Sequence, residues 1–150
     1  MPLTTLTFDE LPEQPANGLT VNGVTFASAD ATYHGAGPGE ITWVQDPSLE
    51  GPATTSLTLT FAQPTTFLQF GVARGCICTL PAGATVELYA PGVGARSSLH
   101  TVATTPLVTF SEGLFTYSGP AIQRAVVTFP SPELAGRFSL DNLTFHSASS

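Results

Sequence analysis

The sequence predicts an all-β sandwich or barrel, and three observations carry that expectation. Its longer apolar stretches alternate polar and apolar residues with period two. Breaks rich in Gly and Pro recur every 8–20 residues. No segment free of Gly and Pro carries the 3.6-residue period of a helix. Many short strands with evenly spread turns make a sandwich or a barrel.

Residues 56–61 give the clearest strand, with Leu57, Leu59 and Phe61 on one face and Ser56, Thr58 and Thr60 on the other. The second half of 3–8 reads the same way, as do 67–72, 85–89, 107–110 and 125–129. Thr, Val and Phe dominate these runs, and all three suit a pleated surface. Residues 19–26 read as a hairpin, because Asn22-Gly23 supplies the two positive-φ positions of a type I′ turn. Loops are expected at 13–18, 35–39, 50–52, 81–83, 91–94, 118–120 and 130–132.

Composition narrows the function. At 150 residues the chain is expected to form one domain over 1–150, with residues 146–150 a frayed tail. Charged residues are only 10%, against about 25% in ordinary soluble domains. The four cations are all Arg, and the 11 acids bring the net charge to −7. Nucleic acid is therefore not an expected partner, because phosphate binding needs clustered cations. An anionic membrane surface is excluded on the same ground. No apolar run approaches the roughly 18 residues of a spanning helix, so membrane insertion is not expected.

Residues 1–6 carry neither a basic nor an apolar signal region, so no signal peptide is expected there. With no Lys, 22 Thr, 14 Gly and 13 Pro, the composition still suits an extracellular or surface-exposed protein. Cys76 and Cys78 form a C-x-C pair. Strand neighbours two apart sit too far apart for good disulfide geometry, so two packed thiols are the first expectation. A local disulfide or metal ligation are the alternatives; zinc would need two more ligands that no second C-x-C or H-x-H supplies.

The two chain ends hold the most informative pattern. In 137–145, Phe138 and Leu140 share one strand face while Leu143 and Phe145 would share the other. Burying both sets needs one extra residue, and Asp141-Asn142 is the place for that bulge. Near the start, Phe8 is followed by the acid pair Asp9-Glu10. If the first and last strands pair, these acids approach Asp141. Carboxylates that close repel unless a cation lies between them, and Ca²⁺ suits carboxylates plus loop carbonyls.

Phe8-Asp9-Glu10-Leu11-Pro12 and Leu140-Asp141-Asn142-Leu143-Thr144-Phe145 resemble the terminal motifs of secreted bacterial jelly-roll domains. They are also similar to the terminal strands of jelly-roll carbohydrate-binding modules. The resemblance implies a jelly-roll β-sandwich and a structural calcium. It implies Asp9 and Asp141 as side-chain ligands, Glu10 as a third, and carbonyls of 28–31 completing the shell. It covers mainly the two ends of the chain.

No catalytic arrangement stands out. His34, His100 and His146 are far apart, and no G-x-S-x-G occurs. The remaining acids fall mostly in expected loops, with Glu87 on the wet side of a strand, so the chain is not expected to be an enzyme. A glycan-binding reading draws on Tyr33, Trp43, Tyr89 and Tyr117, with Glu40 and Asp46 flanking Trp43 as acceptors for sugar hydroxyls. Trp43, Tyr33 and Glu40 are the candidate ligand contacts, although a sole Trp also suits a core. A hairpin through 118–121 would set Tyr117 against Arg124.

The expected function is thus a non-catalytic, calcium-stabilised, adhesive or glycan-binding module. The alternative is a structural subunit of a virion or surface assembly, such as a capsid decoration or tail protein. Thr- and Val-rich edges without guarding Lys would favour homo-oligomers.

Overall fold

A computed structural model describes residues 3–35, 42–45, 47–92, 94–107, 110–130, 132–133 and 136–146. In chain order its strands are β1 (Leu3–Leu6), β2 (Gln14–Pro15), β3 (Thr20–Val21), β4 (Val24–Ala27), β5 (Thr32–Gly35) and β6 (Ser48–Pro52). There follow β7 (Leu57–Arg74), β8 (Leu80–Tyr89), β9 (Ser98–Leu107), β10 (Phe110–Thr128) and β11 (Arg137–His146). All pairings are antiparallel, and the described residues contain no helix. The protein is an all-β, jelly-roll β-sandwich.

Two long strands build both layers. In the first sheet, the beginning of β7 and the end of β10 pair through Thr60↔Arg124 and Thr58↔Val126. That sheet continues through β4 and β3 on one side and β8 and β9 on the other. In the second sheet, the end of β7 and the start of β10 pair through Gly71↔Leu114 and Gln69↔Thr116. It continues through β11, whose far side takes β6 and β1. The strands change layer at a paired irregularity around Thr65↔Ile122. There Thr65 is buried, its Oγ1 donating to the Phe67 carbonyl and accepting from the His146 amide.

The core follows from the alternation. Leu57, Leu59, Phe61, Val86, Leu88, Ala125 and Val127 face inward from the first sheet, and Leu68, Phe70, Val72 and Phe115 from the second. Each fully buried Leu or Phe contributes about 1.5–3 kcal/mol. Asn22 and Gly23 both take positive φ, at 48° and 91°, and form the expected hairpin turn between β3 and β4.

Several expected loops lie inside strands. Residues 81–83 belong to β8, and 118–120 run through β10 as the irregularity that changes layer. No hairpin therefore brings Tyr117 to Arg124. The tail also starts later than expected, since His146 pairs with Leu3 in the last strand; 147–150 lie outside the described residues.

The expectation of two packed thiols is overturned. Cys76 and Cys78 are joined in a disulfide. The expectation assumed an extended strand, but 75–78 bend, and the bend brings the two Cα atoms to 5.3 Å, inside the range a disulfide spans.

Candidate functional site

The paired termini set the geometry. β1 lies on β11 with Leu6 opposite Leu143, so the residues after Leu6 run out beside the bulge in β11. The bulge is where the sequence places it. The register of β11 against β7 slips between Asp141 and Thr144, and Asn142 takes a positive φ of 52°. Phe138, Leu140, Leu143 and Phe145 are all buried as a result.

Past β1 the chain turns at Phe8, whose φ is 62° and whose ring packs 5.2 Å from Tyr33 and 5.9 Å from Phe26. This turn folds Glu10 back onto Thr7. The Thr7 amide donates to Glu10 Oε2 at 2.8 Å, and the Thr7 hydroxyl reaches Asp9 Oδ1 at 2.6 Å. The Tyr33 hydroxyl donates to Glu10 Oε1 at 2.5 Å. Burial works to raise the Glu10 pKa, but the bonds from Tyr33 and Thr7 outweigh it and hold the group below its usual value. The same pair acts oppositely on Tyr33, whose hydroxyl is pushed well above its ordinary range by burial and by the Glu10 carboxylate.

Tyr33 is accordingly not an exposed sugar platform. It is fully buried, and its hydroxyl is committed to Glu10. Only the core reading of Tyr33 explains its place in the Phe8, Phe26, Tyr33 cluster.

Asp141 is buried in β11. Its Oδ2 accepts the Gln45 amide at 2.9 Å, while Oδ1 is buried with no hydrogen-bond partner. Burial pushes its pKa up to about 7. The Gln45 and Asn142 amides oppose that rise, and the negative charges of Asp9 and Glu10 add to it.

The three acids therefore share one field. The donor set fits a calcium ion in part: Asp141 offers an oxygen with no partner, and Asp9 stands at the open turn. Glu10 has both oxygens engaged by Thr7 and Tyr33. Among the described residues, no three His, Cys, Asp or Glu side chains form a group that could hold a metal ion. The Ala31 carbonyl, in the stretch expected to complete the shell, accepts the Ala16 amide at 2.9 Å.

Asp141 has a second task, and it leads to Trp43. Residues 42–45 lie across the outer face of the second sheet and are held there by two buried carboxylates. At one end Glu112 takes two amides, Thr42 at Oε1 (3.0 Å) and Trp43 at Oε2 (2.9 Å). At the other end Asp141 takes Gln45. Asn142 Nδ2 adds bonds to the Trp43 carbonyl at 3.1 Å and to Gln45 Oε1 at 2.9 Å. The backbone comes this close because Gly71 lies beneath it: a Cβ there would overlap the Trp43 carbonyl.

Trp43 is left 38% exposed, and Leu114, the strand partner of the Gly71 beneath it, 39%. Along the same face, Thr144, Gln69 and Thr116 form a polar row across β11, β7 and β10. Gln69 donates to Thr116 at 3.1 Å, and Thr5 on β1 meets Thr144 at 2.9 Å. An exposed indole beside hydroxyl and amide groups can take the apolar face of a sugar ring while bonding its hydroxyls. Of the acids expected to flank Trp43, Glu40 and Asp46 lie outside the described residues.

Glu112 is the residue that sequence reasoning missed. It counts there only as one of several isolated acids, yet it lies in β10 and is only 3% exposed. The available signal was its place between Phe110 and Leu114 in a continuous strand. Tyr117 is also structural, its hydroxyl bonding the Pro120 carbonyl at 2.7 Å and its ring meeting His100. His100 faces the rings of Phe115 and Tyr117 rather than open solvent. Arg124 stacks on Tyr89 instead of Tyr117. Glu87 is paired with Arg96 at 3.0 Å on the wet side of its strand, as expected.

No family model and no curated relative matches the chain. Solved structures do. The K2 cleaved adhesin domain of Lys-gingipain superposes with a TM-score of 0.55 at 15% identity, over 97% of this chain and 98% of that one. Two mutants of a family 29 carbohydrate-binding module superpose with TM-scores of 0.51 and 0.50. Their identities are 9% and 10%, and each covers 99% of this chain and 94% of its own. The likeness is one of fold: the chain shares the β-sandwich of these modules from end to end.

Proposed function

We propose that this chain is a non-catalytic, surface-exposed or extracellular glycan-binding module of adhesive type, and that Trp43 is its sugar platform. One observation carries the reading. The lone Trp lies on the outer face of the sandwich, 38% exposed, with its backbone segment fixed there by two buried carboxylates. Leu114 extends the apolar surface, and Thr144, Gln69 and Thr116 supply polar contacts. The solved neighbours, which are carbohydrate-binding modules and an adhesin domain, support the same class. Affinity electrophoresis in gels containing neutral polysaccharides tests it. Retardation of the wild type that Trp43→Ala abolishes is the expected result.

A second reading concerns calcium. The buried, unpartnered Oδ1 of Asp141 in the field of Asp9 and Glu10 favours a cation bridging Asp9 and Asp141, with Glu10 retained on Tyr33. Loop carbonyls and water would complete its shell. When bound, the ion would fasten the paired termini and, through Asp141, the Trp43 segment. Calcium titration followed by thermal melting tests this, with a rise in Tm that chelator reverses.

A further inference from the structure

The outer face of the first sheet carries a groove of about 410 Å³ lined by Thr60, Tyr89, Gln123 and Arg124. Strand register sets Thr20, Thr25, Thr60, Arg124 and Tyr89 in one row across β3, β4, β7, β10 and β8. The Arg124 guanidinium lies over the Tyr89 ring, 4.0 Å from its centroid.

The charge of Arg124 is distinctive. Arg96 pairs with Glu87 and Arg137 with Glu50. Arg74 is buried, donating to the Gly83 and Pro130 carbonyls at 2.7 Å. Among the four arginines, all of them described, Arg124 alone has neither a carboxylate nor a carbonyl partner. Glu87, one row along on the same face, is already neutralised by Arg96. The groove is thus locally positive on a chain of net charge −7.

We propose that this groove binds the carboxylate of an acidic saccharide, a uronate-containing oligosaccharide. A guanidinium held over a ring by its central carbon leaves N–H donors free, and their fork geometry engages a carboxylate through two bonds. The hydroxyls of Thr20, Thr25 and Thr60 and the Gln123 amide continue the row and suit a ligand rich in hydroxyls. A peptide carboxylate would leave that row unused. The proposal rests on the reading of the chain as a glycan-binding module but occupies the opposite sheet from Trp43.

The test is isothermal titration of the full chain with oligomers of galacturonate, glucuronate and mannuronate, each beside its carboxyl-reduced neutral counterpart. The expected result is binding of at least one acidic oligomer, at least about tenfold tighter than its neutral form. Arg124→Gln should lose about tenfold or more, and Arg124→Lys most of that, since an ammonium cannot form the fork. Thr60→Val should weaken binding less. Trp43→Ala should leave acidic binding unchanged while removing neutral-glycan binding, so the two sites fail separately. Circular dichroism checks that each variant folds; should Arg124→Gln not fold, Arg124→Lys and Thr60→Val carry the test. The proposal is overturned if no acidic oligomer binds, if acidic and neutral forms bind equally, or if the Arg124 variants bind like wild type. Equal competition by a short peptide with a free C-terminal carboxylate also overturns the saccharide assignment.

Discussion

Glu112 in β10 accepts the backbone amides of both Thr42 and Trp43, at 3.0 and 2.9 Å, and so fixes the one Trp of the chain against the second sheet. A glutamine offers one acceptor oxygen and one donor group, and the donor would face an amide N–H. Glu112→Gln should therefore destabilise the fold by about 1–3 kcal/mol in urea unfolding. Because Trp43 is the sole Trp, its fluorescence reports its own segment. Its anisotropy should fall in the variant, and unchanged anisotropy would mean the carboxylate is not what holds it.

Gly71 tests the same arrangement from below. Gly71→Ala puts a methyl group where the Trp43 carbonyl lies. Overpacking of this kind costs about 1–3 kcal/mol. The variant should also weaken glycan retention, because Trp43 is displaced. Gly18→Ala, at a position with positive φ but open space around it, serves as the control: it should destabilise without altering retention.

Asp141 gives a pH dependence of defined sign. Its folded pKa, about 7, lies above the ordinary 3.8. The protonated form is thus the one the fold favours. That contribution is complete below about pH 4 and is lost as pH rises through about 7. In chelator, the Tm of the wild type should fall between pH 5 and pH 8 by more than that of Asp141→Asn, which carries no charge. Calcium, if it bridges Asp9 and Asp141, should raise the wild-type Tm more at pH 8 than at pH 5. Parallel pH profiles for the two proteins would contradict the assignment.

The Cys76–Cys78 bond encloses one residue, so it removes little freedom from the unfolded chain. Loop-closure entropy gives about 1–2 kcal/mol for a ring this small. Thiol titration should find no free thiol before reduction and two after it. Reductant should lower the Tm modestly without abolishing folding. Two free thiols in the untreated protein would restore the expectation drawn from the sequence.

How far the sequence reached follows from the range over which each signal acts. Period-two alternation and the Asn22-Gly23 turn are local, and both appear in the structure as read. The bulge at Asp141 was legible because Phe138, Leu140, Leu143 and Phe145 cannot otherwise share one core. The passage of β7 and β10 between layers was not legible. Gly and Pro at 118–120 mark a turn locally, but pairing on both sides keeps the strand running. The partner of Asp141 was missed for the same reason. Gln45 is 96 residues away, and nothing local ties a loop amide to a distant carboxylate. The strand around Glu112 was legible, but the role of Glu112, like that of Gly71, arises only when residues 42–45 fold across the sheet.

The most direct test of the central claim is the affinity of wild type and Trp43→Ala for a panel of immobilised neutral glycans, measured beside their melting temperatures. Wild type should retain a subset of the panel. Trp43→Ala should lose that retention at least about tenfold while remaining folded, with a Tm lowered only in part, because Trp43 is 38% exposed and its backbone bonds survive the substitution. Equal retention by the two proteins, or no retention by wild type, would contradict it.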